Sequence, residues 1–326
     1  MLAQTLQQPV IRTGLRPYNP FRDTDAVADV IESAFGDELA LTGNEVVGEM
    51  RRWARWWPLL WLLNPVDPLS VGFVWLEEGR IVGNINLWLT DARAGHWLIT
   101  NVAVLPEYRR RGIGQQLVAA GLDLIRAREG KVALLQVRQD NPAAIALYAR
   151  FGFRPYHTVV EMRREASDWP AHATSHWQPV SWRDQPAADE LYRAAIPAIA
   201  RYYRANPQAP YPFRRSSGPD RWLDDLLARR RIFQQAVKAD ARLLAMVQVV
   251  AQRPPRPHHL AFLVHPQARD EYARDTVQQG LSLLRGQPLG AVLSTVTAGG
   301  AEEQALAFWG FAPVRRLEQM KLDLAE

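Results

Sequence analysis

The 326-residue chain has no cysteine, which excludes disulfides, thiolate metal sites and a cysteine nucleophile. Lysine is nearly absent as well. Only Lys131, Lys238 and Lys321 stand among 39 basic residues, and arginine supplies the rest. No apolar run approaches the roughly 20 residues a membrane span needs, and the densest, Trp56 to Leu63, is broken by Pro58. The opening residues show no basic segment followed by an apolar one, so no secretory leader is expected. These absences predict a cytoplasmic protein without membrane contact and without a bound metal.

What is present suits a folded chain of two domains. Hydrophobic residues make up 48% and charged residues 22%, enough to fill sizeable cores. The net charge of +5 raises the question of nucleic acid. Acidic residues are interspersed throughout, however, and the basic clusters Arg109–Arg111 and Arg229–Arg231 are short. Nucleic acid is therefore the weaker expectation.

Hydrophobic periodicity outlines the elements. A strand is expected over 10–18 and a helix from Asp23 to Phe35, with Ala26, Val27, Val30, Ile31 and Ala34 inward. Thr42 or Asn44 would cap a second helix running into Trp53, Trp56, Trp57 and Trp61. Residues 69–89 read as a hairpin and 96–104 as a strand ending before Pro106. A long amphipathic helix is expected over Gly112 to Arg128, with Ile113, Leu117, Ala120, Leu124 and Ala127 on its buried stripe. A strand at 131–139, a helix at 141–152 and an extended segment at 153–165 follow. After a polar linker the order repeats: a strand at 176–182, helices at 184–203 and 220–230, a hairpin at 231–251, and a strand ending at Pro266. A helix at 268–285, a strand at 291–296 and a helix running into Trp309 complete the set.

The repetition has a register. Val104 and Pro106 match Val264 and Pro266 at an offset of 160, and Phe151-Gly152-Phe153 with Met162 match Trp309-Gly310-Phe311 with Met320 at 158. Two copies in one order indicate a duplicated domain. The expected organisation is a first domain over 1–165, a linker over 166–176 and a second domain over 177–326.

Chemistry concentrates in Asn101 to Gly114, NVAVLPEYRRRGIG. A strand ends at Pro106, a short loop follows, and two glycines open a helix whose first amides and positive dipole end suit an anion. Gly112 and Gly114 remove the Cβ atoms that would hold such an anion away, and arginines flank them. The phosphate loop G-x4-G-K-(S/T) is not met. A dinucleotide fingerprint fails at Leu117, where its third glycine belongs, and Asp140 lies 28 residues after Gly112 rather than about 20.

Arg109-Arg110-Arg111-Gly112-Ile113-Gly114 resembles the (Q/R)-x-x-G-x-(G/A) signature of the GNAT superfamily of acetyl-CoA-dependent N-acyltransferases. Three further features fall in that family's order: VAVLP before the signature, Asn141 opening the next helix, and Tyr148 followed by FGF. The resemblance covers 69–164 well and 10–68 loosely. It implies an α/β (α+β) fold of two tandem domains, each a mixed, mostly antiparallel sheet flanked by helices. It further implies that the backbone of Val102, Ala103 and Val104 pairs with the pantetheine arm of acetyl-CoA. The amides of Arg109, Arg110, Arg111, Gly112, Ile113, Gly114 and Gln115 would hold the pyrophosphate, Asn141 would bond the pantetheine region, and the Tyr148 hydroxyl would face the thioester sulfur. A phenol can hand a proton to a departing thiolate, although the same spacing also suits a core aromatic.

The residue that accepts the amine's proton is not identified by sequence. Asp37, Glu38 and Glu45 lie where the family places substrate-facing residues, between the first two helices, and equally suit a solvated surface. His96 reads as a strand residue. The four tryptophans suit a buried seam, an acceptor-pocket wall or a membrane-surface contact.

In the second copy, Tyr272 stands at the place of Gly112, Arg274 at that of Gly114, Leu306 at that of Tyr148 and Gly299 at that of Asn141. That copy is expected to keep the scaffold without the site, and the Pro-rich loop at 206–219 is either a lid or a plain surface loop. Tandem members of the superfamily usually keep the C-terminal site, whereas here the intact motif is N-terminal. The expected function is N-acetyl transfer from acetyl-CoA to a primary amine of a small molecule or peptide, by direct attack in a ternary complex, in a monomer or homodimer. The alternative is a non-catalytic acyl-CoA-binding sensor or scaffold.

Overall fold

The computed structural model describes residues 12–42 (37–42 as backbone only), 47, 48, 50, 51, 71–174, 176–203, 230–240 and 242–324. These form two compact units, one of 1–135 with 322–326 and one of 136–321. The division differs from the repeat boundaries at 165 and 177, because residues 136–165 belong to the second unit.

In the first unit, β1 (Gly14–Pro17), β2 (Val71–Glu77), β3 (Arg80–Asp91) and β4 (His96–Val104) pair antiparallel in that order. The start of β5 (Val132–Arg138) lies parallel to β4, over His96–Ile99 and Val132–Leu135. Helix α1 (Pro20–Thr42) packs on β3 and β4, and α2 (Ile113–Ala127) packs on β2, β3 and β4. The α1 stripe is the expected one, with Val27, Val30 and Ile31 buried. The α2 stripe is rotated from expectation: Ile113, Leu117, Val118, Gly121, Leu122 and Ile125 are buried, whereas Ala127 is exposed. Gly121 explains the rotation. A Cβ there would come within 2.9 Å of Ile85 Cδ1, so the glycine brings the helix close to β3 on that side.

The second unit has the strand order β12 (Ala312–Asp323), β6 (Arg154–Arg164), β11 (Val292–Thr297), β10 (His258–Val264), β9 (Arg242–Ala251), β8 (Arg231–Ala239), β7 (Trp177–Pro179). Only β10 and β11 are parallel within this order. Strand β6 is flanked by β11 and β12, which is why 136–165 is counted with this unit. Helices α6 (Arg269–Ser282) and α7 (Ala301–Phe308) cover a core that includes Val160, Met162, Val247, Leu260, Val277 and Leu306. The helix expected over 184–203 is two, α4 (Gln185–Ala195) and α5 (Ala198–Tyr202). Ile196 turns extended, at ψ 131°, as the residue before Pro197 prefers. The helix expected at 220–230, the four tryptophans, Glu45 and the loop at 206–219 lie outside the described residues.

The internal repeat has structural counterparts. Each copy of the V-x-P motif opens a 3-10 turn, at Pro106–Tyr108 and Pro266–Ala268. Each aromatic-Gly-Phe motif closes a helix. Gly152 (φ 88°) follows α3 (Pro142–Arg150), and Gly310 (φ 81°) follows α7. Phe153 N donates to Tyr148 O at 3.2 Å and Phe311 N to Leu306 O at 3.1 Å, the helix-ending bond that a left-handed glycine permits.

Candidate functional site

Strand β4 changes character at its midpoint. Asn86 faces Thr100 and Asn84 faces Ala103, so β4 holds one residue more than β3 across this step. The extra residue makes a bulge, and Asn101 occupies it in the left-handed region at φ 53°, which asparagine tolerates better than most residues. The ladder from β4 to β5 runs only from His96 to Ile99 and stops just before the bulge. From Thr100 to Val104 the strand keeps its pairing to β3 alone within this unit. This half-paired stretch contains Val102, Ala103 and Val104.

Beyond β4 the chain makes its 3-10 turn and enters α2 through Gly112, the helix N-cap, at φ 79°. A Cβ on Gly112 would meet no protein atom within 4 Å, so within the chain it is the left-handed backbone that calls for glycine. Gln116 N makes the first helical bond, to Gly112 O at 3.1 Å. The amides of Ile113, Gly114 and Gln115 precede it and have no partner inside the helix. No side chain caps this end and no acidic residue sits in the first turn. Arg109, Arg110 and Arg111 are exposed beside it. Arg109 Nε donates to Val104 O at 3.0 Å, and Arg111 Nη2 donates to Glu107 O at 3.1 Å. Arg110 is itself left-handed at φ 62°. Amides, dipole and guanidinium groups together fit a phosphate-bearing ligand.

Asn141 and Tyr148 belong to the second unit. Asn141 caps α3, its Oδ1 accepting from Ala144 N at 3.1 Å, which leaves its side-chain NH2 as the group able to donate outward. Tyr148 is buried, with Phe153 edge-on at 5.9 Å. Its hydroxyl has no hydrogen-bond partner among the described residues, and burial raises its pKa above the usual 10. The phenol therefore stays protonated at neutral pH, as a proton donor must.

The remaining expectations divide. Asp37 and Glu38 are not in a loop between helices, because α1 runs on to Thr42 and holds both within its last turns. His96 is buried at the first position of β4, and burial lowers its pKa. It lies at the opposite end of the strand from Val104. Sequence reading missed Asn84 and Asn86, both buried on β3. Their spacing of two in an otherwise apolar strand was the available signal.

The second copy has no cradle. Its 3-10 turn passes directly into α6, with Arg269 already helical at φ −61°, and Asp270 and Glu271 occupy the first turn. The register also shifts. Gly280, whose Cβ would press on Leu260 and Val247, occupies on α6 the place of Gly121 on α2, at an offset of 159. One residue has been lost in between, so Glu271 rather than Tyr272 corresponds to Gly112. The helix has grown over the loop and carries its own anions at the positive end.

Residues 36–153 match the Acetyltransferase (GNAT) family. A mycothiol acetyltransferase of Amycolatopsis mediterranei is 31% identical over 171 residues, covering 48% of this chain and 52% of that one. An N-alpha-acetyltransferase 30 of Schizosaccharomyces pombe is 34% identical over 99 residues, covering 29% of this chain and 65% of that one. This chain thus spans about half to two thirds of the length of these curated relatives. Among solved structures, a tandem GNAT protein from the clavulanic acid biosynthesis pathway has a TM-score of 0.57 at 19% identity, covering 96% of this chain and 98% of that one. At that identity the likeness is one of fold. With the signature loop, the bulged strand and the matching helix ends, these findings agree on the segment that carries the motif: residues 36–153 form a domain of the GNAT family.

Proposed function

We propose that this chain is an N-acetyltransferase that moves the acetyl group of acetyl-CoA onto a primary amine of a small molecule or peptide. The left-handed Gly112 opening α2, at the end of a half-paired and bulged strand, is the observation that carries this reading. The pyrophosphate would lie against the amides of 109–115, and the pantetheine arm would pair with Val102 to Val104. Arg109 would release the Val104 carbonyl on binding, and the Asn141 side-chain NH2 would bond the arm.

The amine nitrogen attacks the thioester carbonyl carbon, a C–N bond forms and the C–S bond breaks. The leaving thiolate takes the proton of the Tyr148 hydroxyl, water takes the surplus proton of the attacking nitrogen, and solvent restores the phenol. The reading further places Asp37 and Glu38 near the incoming amine, assigns catalysis to the 1–165 repeat and a supporting role to 177–326, and expects a cytoplasmic monomer or homodimer using no metal.

Calorimetric titration of acetyl-CoA tests it. One site per chain is expected in the wild type. Gly112→Val should lose at least tenfold in affinity with the melting temperature little changed, because a β-branched residue cannot hold the left-handed turn. Absence of binding by the wild type ends the proposal. Binding without CoA release for any amine would leave the sensor or scaffold alternative.

A further inference from the structure

A cavity of about 510 Å³ lies between α1 and the start of β3, a size that suits a small organic molecule. Arg22, Ala26 and Val30 line it from α1, on one face of the helix at spacings of four. Arg80 and Ile81 line it from β3, and Leu105 and Glu107 from the chain just after β4. One wall is closed before any ligand arrives. Arg16 donates to both carboxylate oxygens of Asp23, at 2.6 and 2.8 Å, and Asn19 N donates to the same group at 2.7 Å. The Asp23 side chain is 3% exposed and that of Arg16 13%. This two-pronged pair joins β1 to α1, holds the cavity's shape and adds no net charge to it.

The other charged groups of the lining are not closed in this way. Arg22 approaches Asp23 through Nε at 3.3 Å, and its Nη groups form no hydrogen bond among the described residues. Arg80 lies 3.9 Å from Glu107 Oε1, beyond hydrogen-bond distance, and bonds nothing else among the described residues. Both side chains are more than half exposed, as is that of Glu107, and an exposed pair so long contributes little. Asp29, also in the lining, is by contrast held by Arg51 Nη2 at 2.7 Å. Two guanidinium groups with unused donors thus stand against one loosely held carboxylate. Ala26, Val30, Ile81 and Leu105 make the apolar part of the lining, and all four are aliphatic.

We propose that this cavity binds a small aliphatic carboxylate, whose charged end takes hydrogen bonds from Arg22 and Arg80 and whose hydrocarbon body lies on Ala26, Val30, Ile81 and Leu105. A guanidinium matches a carboxylate in shape as well as in charge, and aliphatic walls favour a hydrocarbon body over water. The ligand takes Arg80 from Glu107 as it enters. None of residues 109–115 lines the cavity, so the site is separate from the phosphate cradle and does not rest on the transferase reading.

Octanoate is the probe, with octylamine and 1-octanol as its cationic and uncharged counterparts. Calorimetry on the full chain should find one octanoate site per chain and at least tenfold weaker binding of both counterparts. Arg22→Gln and Arg80→Gln should each weaken octanoate at least fivefold. Glu107→Gln should tighten it about threefold, because the competing carboxylate is gone, and Ala26→Leu should abolish binding by filling the cavity. If the leucine variant fails to fold, the three exposed substitutions decide the matter. Octanoate affinity unchanged in both arginine variants would overturn the inference, as would equal binding of 1-octanol, which would mark an apolar surface without a carboxylate site. Displacement of octanoate by acetyl-CoA would overturn it too, since the cavity would then belong to the cofactor's site. A protein that binds octanoate in this way and ignores acetyl-CoA would end the transferase reading and leave this one standing.

Discussion

Tyr148 combines a buried ring with a hydroxyl that bonds to nothing among the described residues. The ring holds the end of α3 against Phe153, whereas the hydroxyl adds little to folding. Tyr148→Phe should therefore leave the melting temperature and acetyl-CoA affinity near wild type while lowering kcat by about a hundredfold, the usual scale for losing a positioned acid. Because burial raises this phenol's pKa, the wild-type rate should not decline from its deprotonation up to about pH 9. An early decline that Tyr148→Phe abolishes would mean the hydroxyl acts in its ionised form. Sequence reading reached this residue through its place before FGF, but it could not reach the cavity beside Arg80. A hairpin reading of 69–89 says which residues share a face, not which helix residues come to lie across from them.

At the level of the elements, β4 is legible residue for residue as His96–Val104, because a largely apolar, β-rich stretch runs up to Leu105 and Pro106. The apolar pattern locates helix α2 in the chain but not its rotation, since apolar side chains alone give no weight to a glycine that lets backbones approach. The two helix glycines make a test of that point. A methyl at Gly121 meets chiefly the far end of Ile85, at 2.9 Å, which can swing aside. Gly121→Ala should be near neutral, its gain in helix propensity of about 1 kcal/mol offsetting the crowding. A methyl at Gly280 meets Leu260 Cδ1 at 2.7 Å and Val247 Cγ2 at 2.8 Å, and valine is stiff. Gly280→Ala should lose about 1–3 kcal/mol in urea denaturation. Equal effects at the two sites would contradict this account.

On the scale of the molecule, the duplication was legible from two short matches, but the compact units were not. Strand pairing between 154–164 and 292–323 is long-range, and local periodicity carries no trace of it. On these strands Glu161 accepts two hydrogen bonds from Arg315, at 2.7 and 3.0 Å. Burial nevertheless pushes the carboxyl up to about 7 and the guanidinium down to about 10. An acid whose folded pKa lies above its unfolded value contributes its stability below the unfolded pKa and loses it as pH rises through the folded one. That window here runs from about 4.5 to about 7. Removing the guanidinium raises the carboxyl further, so Arg315→Met should widen the loss. Urea denaturation should find the variant close to wild type at pH 5 and about 3–5 kcal/mol weaker at pH 8. Parallel pH profiles would show that the pair stays ionised together and that burial is not its governing feature.

The chain's last strand bears on the order of synthesis. Leu324 N donates to Lys131 O at 2.8 Å, and 322–326 belong with the first unit. A ribosome delivers Lys131 long before Leu324, so most of the first unit can assemble while this partner is still untranslated. Folding domain by domain as the chain emerges then cannot finish at the first copy. The unit of 1–135 is completed only when translation has reached residues 322–326, and until then the Lys131 carbonyl lacks this partner.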